Sequence, residues 1–586
     1  MKLPLSLAHT PVICRLLVIF AVLGLSLTHS ISRSWAAGPL PLRDIGPVET
    51  SAANDFSSGI TICTPPITPV TLSNPTVVTN CTQTGLQTAL NQGGPIAFDC
   101  GPDPVTINIS SPLMTSATKD TVIDGGGLIT LDGGNSTRIL EKPFTPGSDT
   151  DKTLGNDLTL QNIRFINAKG PTASSGSADR GGAITATSPG TRLHIINSTF
   201  ENNHTASQTK EDNQGGAIFA ANIYETIIVG SVFEDNTAGN GGAFGAIASG
   251  LIVYNSRFTS NQATDNTSGG IVRGHGGAIH LDGVTNSFNP DSHKVVDICG
   301  SIFEDNTAIR GGGAIKTTIS DNKGTKATYT RSTFTNNRLL GVPPAEGHGG
   351  AIYHIEDDFA SGFNEDNLEL TRNTFSGNEA YRQGGAVWYL VNGLVKVENN
   401  TFYNNRTIDG ALGMGGALVL GSQSGAPVHE ITNNTFAQNY AWFHGGGIQA
   451  PGDPTVKLTN NIFYYNESER DWANYQMNRA ADIDGGGNIQ FPQERFNQSG
   501  TPNDGLVTPS VIIADPLLAG LAGNGGFNPT MALQAGSPAI DAGATGCPAT
   551  DQRNAPRVGN CDSGAFEYNS DPLSGGWSVF LPEIEK

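Results

Sequence analysis

Residues 273–280 read RGHGGAIH and residues 347–353 read GHGGAIY. Each places an imidazole, His275 or His348, directly ahead of a Gly-Gly pair, and His444 repeats the placement ahead of Gly445. Imidazole can move a proton or bind a metal. Behind the second word stand the carboxylates Glu356, Asp357 and Asp358, then Glu365 and Asp366, with Arg382 further on. Two carboxylates flanking a glycosidic bond serve as acid and base in its hydrolysis. A carboxylate cluster with a nearby Arg suits a bound Ca2+ and a base. Such chemistry would draw on Asp357, Asp358, His348 and Arg382, with Glu356, Asp357 and Asp358 as cation ligands. Ca2+ is the one cofactor this suggests, and none is required.

What must position these residues is a repeat. Gly-Gly-Ala-Ile or a close variant begins at Gly181, Gly215, Gly241, Gly276, Gly312, Gly349, Gly384, Gly415 and Gly445. A second word, Phe-x-x-Asn, begins at Phe200, Phe233, Phe258, Phe303, Phe334, Phe375, Phe402, Phe436 and Phe463. The words alternate strictly, with a mean period of about 33 residues. Between them lie short β-like runs such as TRLHIINSTF and GLVKVENNTF. Strand, turn, strand and turn describe one rung of a coil, and stacked rungs pair as parallel strands ~4.8 Å apart. The Phe should stack on the Phe of the next rung, and the Asn amide should bond to the Asn above and below. Gly-Gly permits positive φ and close backbone approach. The expected fold is all-β, a right-handed parallel β-helix, with a short N-terminal capping helix and an irregular C-terminal cap.

The paired words resemble the repeats of chlamydial polymorphic outer-membrane proteins, within the pectin-lyase-like β-helix superfold, over residues ~160 to ~465. That resemblance implies surface display and adhesion. After residue 465 there is no room for a large membrane barrel, a departure from those proteins. Residues 515–568, DPLLAGLAGNGG through GAFEY, resemble the bacterial choice-of-anchor Q domain, implying an exported β-helix whose extreme C-terminus carries the attachment. The LPEIE of the tail lacks the Thr-Gly, apolar helix and basic end of a sortase signal.

Gly-His-Gly resembles a signature of polygalacturonase-type hydrolases, which also requires Asn-Thr-Asp, a later Asp-Asp and Arg-x-Lys. No Asn-Thr-Asp is present, the acidic run follows the second Gly-His-Gly, and no Arg-x-Lys comes after it. Two of the three letters belong to the repeated turn. The residue before Gly-Gly runs Arg180, Gln214, Asn240, His275, Gly311, His348, Gln383, Met414 and His444. This column imposes little chemistry, so its histidines are expected at the solvent edge. His275, His348 and His444 stand two and three rungs apart, roughly 10 and 15 Å, too far to share one Zn2+. The residue after Gly-Gly-Ala-Ile runs Thr185, Phe219, Gly245, His280, Lys316, Tyr353, Trp388, Val419 and Gln449, and alternation turns it outward. Tyr353 and Trp388, in adjacent rungs, could stack on sugar rings with Lys316 beside them, or cover a loop.

The chain has 586 residues, 74 of them Gly, and a net charge of −20. No basic patch is visible, which argues against nucleic acid. Lys2 and Arg15 precede an apolar run, 16–27, and SRSWAAGP offers a cut after Ala36, as in an export signal. The expected organisation is a signal peptide (1–36), a linker (37–75), the β-helix (76–465), the C-terminal cap (466–570) and a tail (571–586). In 80–101 a short helix with Leu86, Ala89 and Leu90 on one face should close the coil, and 121–134 should be its first full rung. In an oxidising compartment Cys81 with Cys100, and Cys547 with Cys561, would close local loops. Cys63 has no assigned partner, and Cys299 reads as a buried thiol.

These observations favour a secreted or cell-surface β-helix, monomeric and non-catalytic, whose partner is an extracellular glycan or a component of a host or neighbouring surface. Membrane involvement is limited to export or anchoring. A polysaccharide lyase or hydrolase using the acidic groove, and a structural surface component, are the alternatives.

Overall fold

A rung of short strands can bury its apolar side chains only against the rungs above and below. The computed structural model describes residues 62–572 apart from 149–153, 172–178, 208–212, 266–273, 285–292, 320–323, 342–346, 357–365, 410, 423–424, 471 and 495–502. One turn of the coil contains Ile218–Ala221, Glu225–Val229, Val232–Glu234 and Thr237–Ala238. Each pairs in parallel with its counterpart in the next turn. Three stacks result: a sheet carrying the Gly-Ala-Ile words, a short two-residue sheet, and a large sheet holding the other two strands of each turn. Parallel crossovers take the right-handed sense, and the molecule is a right-handed parallel β-helix.

The Phe ladder forms as the sequence predicts, with one addition. Ten rings, Phe165 through Phe463, stack with centroids 4.7–5.1 Å apart. Phe165 escapes the motif because Ala168 stands where the Asn would be, yet its backbone still donates to Asn203 Oδ1 at 3.0 Å. Such contacts contribute about 0.5–1.5 kcal/mol per pair beyond burial.

The Asn three residues on sits inside the corner with no measurable exposure over most of the ladder. The Asn236 amide donates to Phe200 O (3.0 Å) and to Asn261 Oδ1 (2.9 Å), and its own Oδ1 accepts the Asn203 N–H and amide at 3.0 Å. The residue two before each Phe forms a second ladder that motif reading missed. It is Ser in the early rungs, where Ser231 Oγ accepts the Ser198 N–H at 3.1 Å and donates to Val229 O at 2.9 Å. From Asn373 onward it is Asn, and Asn373 bonds to Tyr329 O (2.8 Å) and Asn400 Oδ1 (3.1 Å). Left-handed residues flank both ladders, such as Asn399 (φ 55) and Asn336 (φ 54). Asn tolerates that conformation better than most side chains. The two glycines of each turn do different work. Gly349 has φ +69, whereas a Cβ on Gly350 would lie 1.9 Å from Gly385 O in the next rung.

The helix Gln83–Gln92 buries Leu86, Ala89 and Leu90 as expected, with Thr82 as its N-cap. The coil starts before 121–134, because Thr76–Val78 pairs with Gly94–Phe98, which pairs with Thr121–Asp132. Parallel pairing also continues past residue 465, through Ile483–Asp484, Ile489–Phe491 and Ile512–Ile513.

The chain beyond that point is irregular, but most of its contacts are with the side of the coil and not its end. Thr550 O accepts the Asn399 amide (2.8 Å), Asp562 O the Asn433 amide (2.9 Å), and Asn460 Oδ1 the Ala544 N–H (2.7 Å). The same corner holds the segment from residue 62 in earlier rungs. Asn255 exchanges two bonds with the Cys63 backbone (2.8 and 2.9 Å), and Gln161 two with Val70 (2.7 and 3.0 Å). Ile67 covers an apolar patch of Ile227, Val229 and Ile252. This placement corrects the reading of Cys299 as a buried thiol: Cys63 and Cys299 are bonded, with Cα atoms 6.0 Å apart across 236 residues. Cysteines so far apart in sequence meet only because the segment runs back along the flank. Cys81–Cys100 and Cys547–Cys561 are bonded as expected.

Two outcomes follow. Asn337→Ala removes the acceptor of both the Asn306 N–H and its amide, and should cost about 2–4 kcal/mol in chemical denaturation. A loss below about 1 kcal/mol would show the ladder to be dispensable. Cys63→Ser with Cys299→Ser should speed proteolysis within 62–75 and hydrogen exchange at Ile227 and Ile252, while the rungs after Phe334 keep their protection.

Candidate functional site

The alternation of Ile315–Ile319, Ile352–Glu356 and Val387–Leu390 places Lys316, Tyr353 and Trp388 side by side on the outside of their sheet. Tyr353 and Trp388 lie 4.9 Å apart, close to the expected separation, at an interplanar angle of 65°. The column is not an open platform. Lys316 is only 5 % exposed and His280 only 1 %, a correction to the outward, solvent-facing reading. Over Phe219, His280, Tyr353 and Trp388 the side chains of the neighbouring column pack against this one. The Arg180 guanidinium lies 4.9 Å from the Phe219 ring centre, and Gln214 Oε1 is 3.2 Å from His280 Nδ1. His348 stacks on Trp388 at 5.3 Å and touches Tyr353 at 5.9 Å. The Trp388 indole N–H donates to Gln383 Oε1 at 3.0 Å. Gly311 supplies the gap that lets Tyr353 lie against His275: a Cβ there would meet Tyr353 Cδ1 at 2.5 Å and His275 Nδ1 at 2.6 Å.

The two columns therefore close into a seam along the Gly-Gly turn. His275 is buried within it, which corrects its solvent-edge placement, while His348 and His444 are half-buried. Burial, with the Arg382 charge adding to it, lowers His348 to about 4.

The acidic candidates separate. Glu356 is buried at the end of its strand, and its Oε2 accepts the Asn392 N–H at 2.7 Å. Asp366 is buried and accepts the Thr325 N–H. Arg382 pairs with Asp409 at 3.1 Å. Glu356 and Asp366 thus each hold a backbone N–H, and Arg382 a carboxylate of the next rung. Asp357, Asp358 and Glu365 lie outside the described residues, as does Ala36. Among the described residues no group of three or more His, Cys, Asp and Glu is placed to hold a metal ion.

Other surfaces were invisible to the motifs. On the large sheet, Glu369, Lys396, Glu430 and Lys457 alternate rung by rung beside a shallow cleft of ≈ 490 Å³, with Lys326–Glu369 at 3.3 Å and Lys457–Glu430 at 3.5 Å. After the short strands, Leu340, Tyr381, Ile408 and Trp442 occupy one position in four successive rungs. Leu340, Ile408 and Trp442 are exposed, Tyr381 partly so, and beyond them Trp472 is 57 % exposed. A usable signal existed: each follows directly on a two-residue strand six residues after the Phe.

Polar side chains also enter the interior. The Tyr329 hydroxyl is 2.9 Å from Thr317 Oγ1 and 3.4 Å from His354 Nδ1, and the Tyr389 hydroxyl is 3.1 Å from His429 Nδ1. Burial lowers His354 to about 3, with Lys316 adding to it, and His429 to about 4.

Compared with known families, residues 266–463 and 361–496 match the right handed beta helix region, and residues 197–221 match the Chlamydia polymorphic membrane protein repeat. Together these matches span less than half the chain. No curated protein matches it.

The buried imidazoles give a pH dependence of defined sign. Above pH 6.5 both states are neutral at His354 and His429, and this contribution is at its full value. Below 6.5 the unfolded chain takes up protons that the folded interior refuses until about pH 3 to 4. Stability should therefore fall with pH across that window, by up to ~1.4 kcal/mol per unit per imidazole. Thermal melts between pH 7 and 4.5 should show this, and His354→Gln with His429→Gln should flatten the slope. An equally steep slope in the double variant would place the cause elsewhere.

Proposed function

We propose that the protein is an exported, surface-associated β-helix with an adhesive, glycan-binding role and no catalysis. The observation that carries this is the fate of the catalytic-looking residues. His275, His348, Glu356 and Arg382 are each engaged in holding the rungs, so the Gly-His-Gly word marks a structural seam. Support for the surface location comes from the repeat family matched at residues 197–221 and from the three disulfides, which suit an oxidising compartment. A rigid coil of stacked rungs displays side chains at fixed intervals along one axis, which suits an extended ligand. Attachment would use the C-terminal region, in keeping with its resemblance to choice-of-anchor Q.

Fractionation of cells should find the protein at the surface or in the medium. The purified protein should bind a glycan, a matrix component or whole cells in a panel assay, and binding to none of them would remove the proposal. The same panel, read for new reducing ends or unsaturated products, should stay unchanged. Product formation that Asp357→Ala abolishes would make the chain an enzyme.

A further inference from the structure

The exposed apolar ridge has a construction of its own. Tyr381 lies over two glycines, for a Cβ on Gly341 or Gly347 would meet it at 2.5 Å. Gly413 makes room for Trp442, whose Cβ would be 2.9 Å away from a Cβ there. Phe443 meets the Trp472 ring edge-on at 5.4 Å and the His444 ring at 4.8 Å, with the Arg470 guanidinium 5.9 Å from its centre. The rings are thus held in place by their neighbours while Trp442 and Trp472 stay exposed at 37 % and 57 %.

Two ion pairs and a tyrosine–carboxylate hydrogen bond lie along the ridge. Arg382 pairs with Asp409 (3.1 Å), Arg406 with Glu379 (2.6 Å), and the Tyr440 hydroxyl donates to Glu469 (2.9 Å). Fixed carboxylates and guanidiniums of this kind can bond to hydroxyl groups without favouring an ion of either sign. The net charge of −20 disfavours a polyanion. Successive rungs stand ~4.8 Å apart, close to the length of one pyranose unit, so neighbouring rungs would meet neighbouring sugars.

The ridge lies on a different face of the coil from the described terminal segments. Each turn runs through the Gly-Ala-Ile sheet, the two strands of the large sheet and the short sheet. Both terminal segments cover the corner between the two strands of the large sheet. Ile62 and Cys63 pack with Phe527 there, and Pro572 closes on Gly525. The ridge follows the short sheet, beyond the second strand of the large sheet.

We propose that the ridge Leu340–Tyr381–Ile408–Trp442, extended by Trp472, binds a linear neutral polysaccharide lying along the coil axis. This deepens the glycan-binding role above and rests on it. Exposed tryptophan faces stack on the apolar faces of sugar rings, and the paired charges bond to the hydroxyls at their edges.

The test is affinity electrophoresis of the full chain through gels containing neutral polysaccharides (a β-glucan, xylan, a galactomannan) or polyanionic ones (polygalacturonate, heparin). A neutral polysaccharide should retard the protein. Trp442→Ala and Trp472→Ala should each weaken retardation about fivefold to tenfold, and Glu430→Ala on the large sheet should not. Melting temperature and circular dichroism should be unchanged for Trp472→Ala, whose ring is mostly in solvent. Retardation by no polysaccharide overturns both this proposal and the glycan-binding role. Retardation unaffected by either Trp variant overturns the ridge alone. Retardation only by polyanions, or Trp variants that lose cell adhesion while keeping polysaccharide binding, overturns the ligand class.

Discussion

A parallel coil must turn sharply several times in each rung, and every sharp corner takes backbone amides out of the strand ladder. Inside a water-free core those amides need acceptors. The two side-chain ladders provide them. Within the ladder each Asn of the Phe-x-x-Asn word takes two bonds from the rung before and gives two, from its N–H and its amide, to the rung after. The Asn two residues ahead of each later Phe does the same at the preceding corner, where each Ser of the earlier rungs accepts one N–H. Strand register, Phe stacking and the left-handed corner residues all follow from holding these amides in line. A one-residue slip would point each Phe outward and leave both ladders without partners.

What the coil leaves on its outside is then used in three ways. One corner is covered by the chain's own terminal segments, which are gripped by corner residues such as Asn255, Asn399 and Asn433. Asn suits this post because one residue supplies a left-handed conformation and an outward amide. The turn at Gly-Gly is sealed by two interleaved columns in which His348, Tyr353 and Trp388 pack ring on ring and Trp388 bonds to Gln383. The large sheet carries alternating Lys and Glu that pair across rungs. The ridge after the short sheet keeps large apolar side chains in solvent in successive rungs, which sets it apart from the closed seam.

The chemistry of the buried groups is consistent with this division. His354 and His429 are depressed by desolvation and bonded to tyrosines, and Glu356 and Asp366 accept backbone N–H groups. Titratable groups perturbed by burial often mark active sites. Here their partners are strands and turns of the next rung, so the perturbation reports packing of the solenoid.

The sequence by itself determined the coil, the repeat length, the Phe and Asn ladders, the capping helix and two of the disulfides. These depend on one residue type recurring at one place in each rung, and periodicity is a property of the chain order. It did not determine which outward positions meet solvent. Alternation places Tyr353 and Trp388 outside their sheet, but only the tertiary structure shows His275 and His348 packing against them. The partners of Cys63, the path of the C-terminal segment along the flank and the exposure of Trp442 and Trp472 were likewise decided in three dimensions. Their contacts join residues tens to hundreds of positions apart through side chains that do not repeat, and no local pattern encodes such meetings.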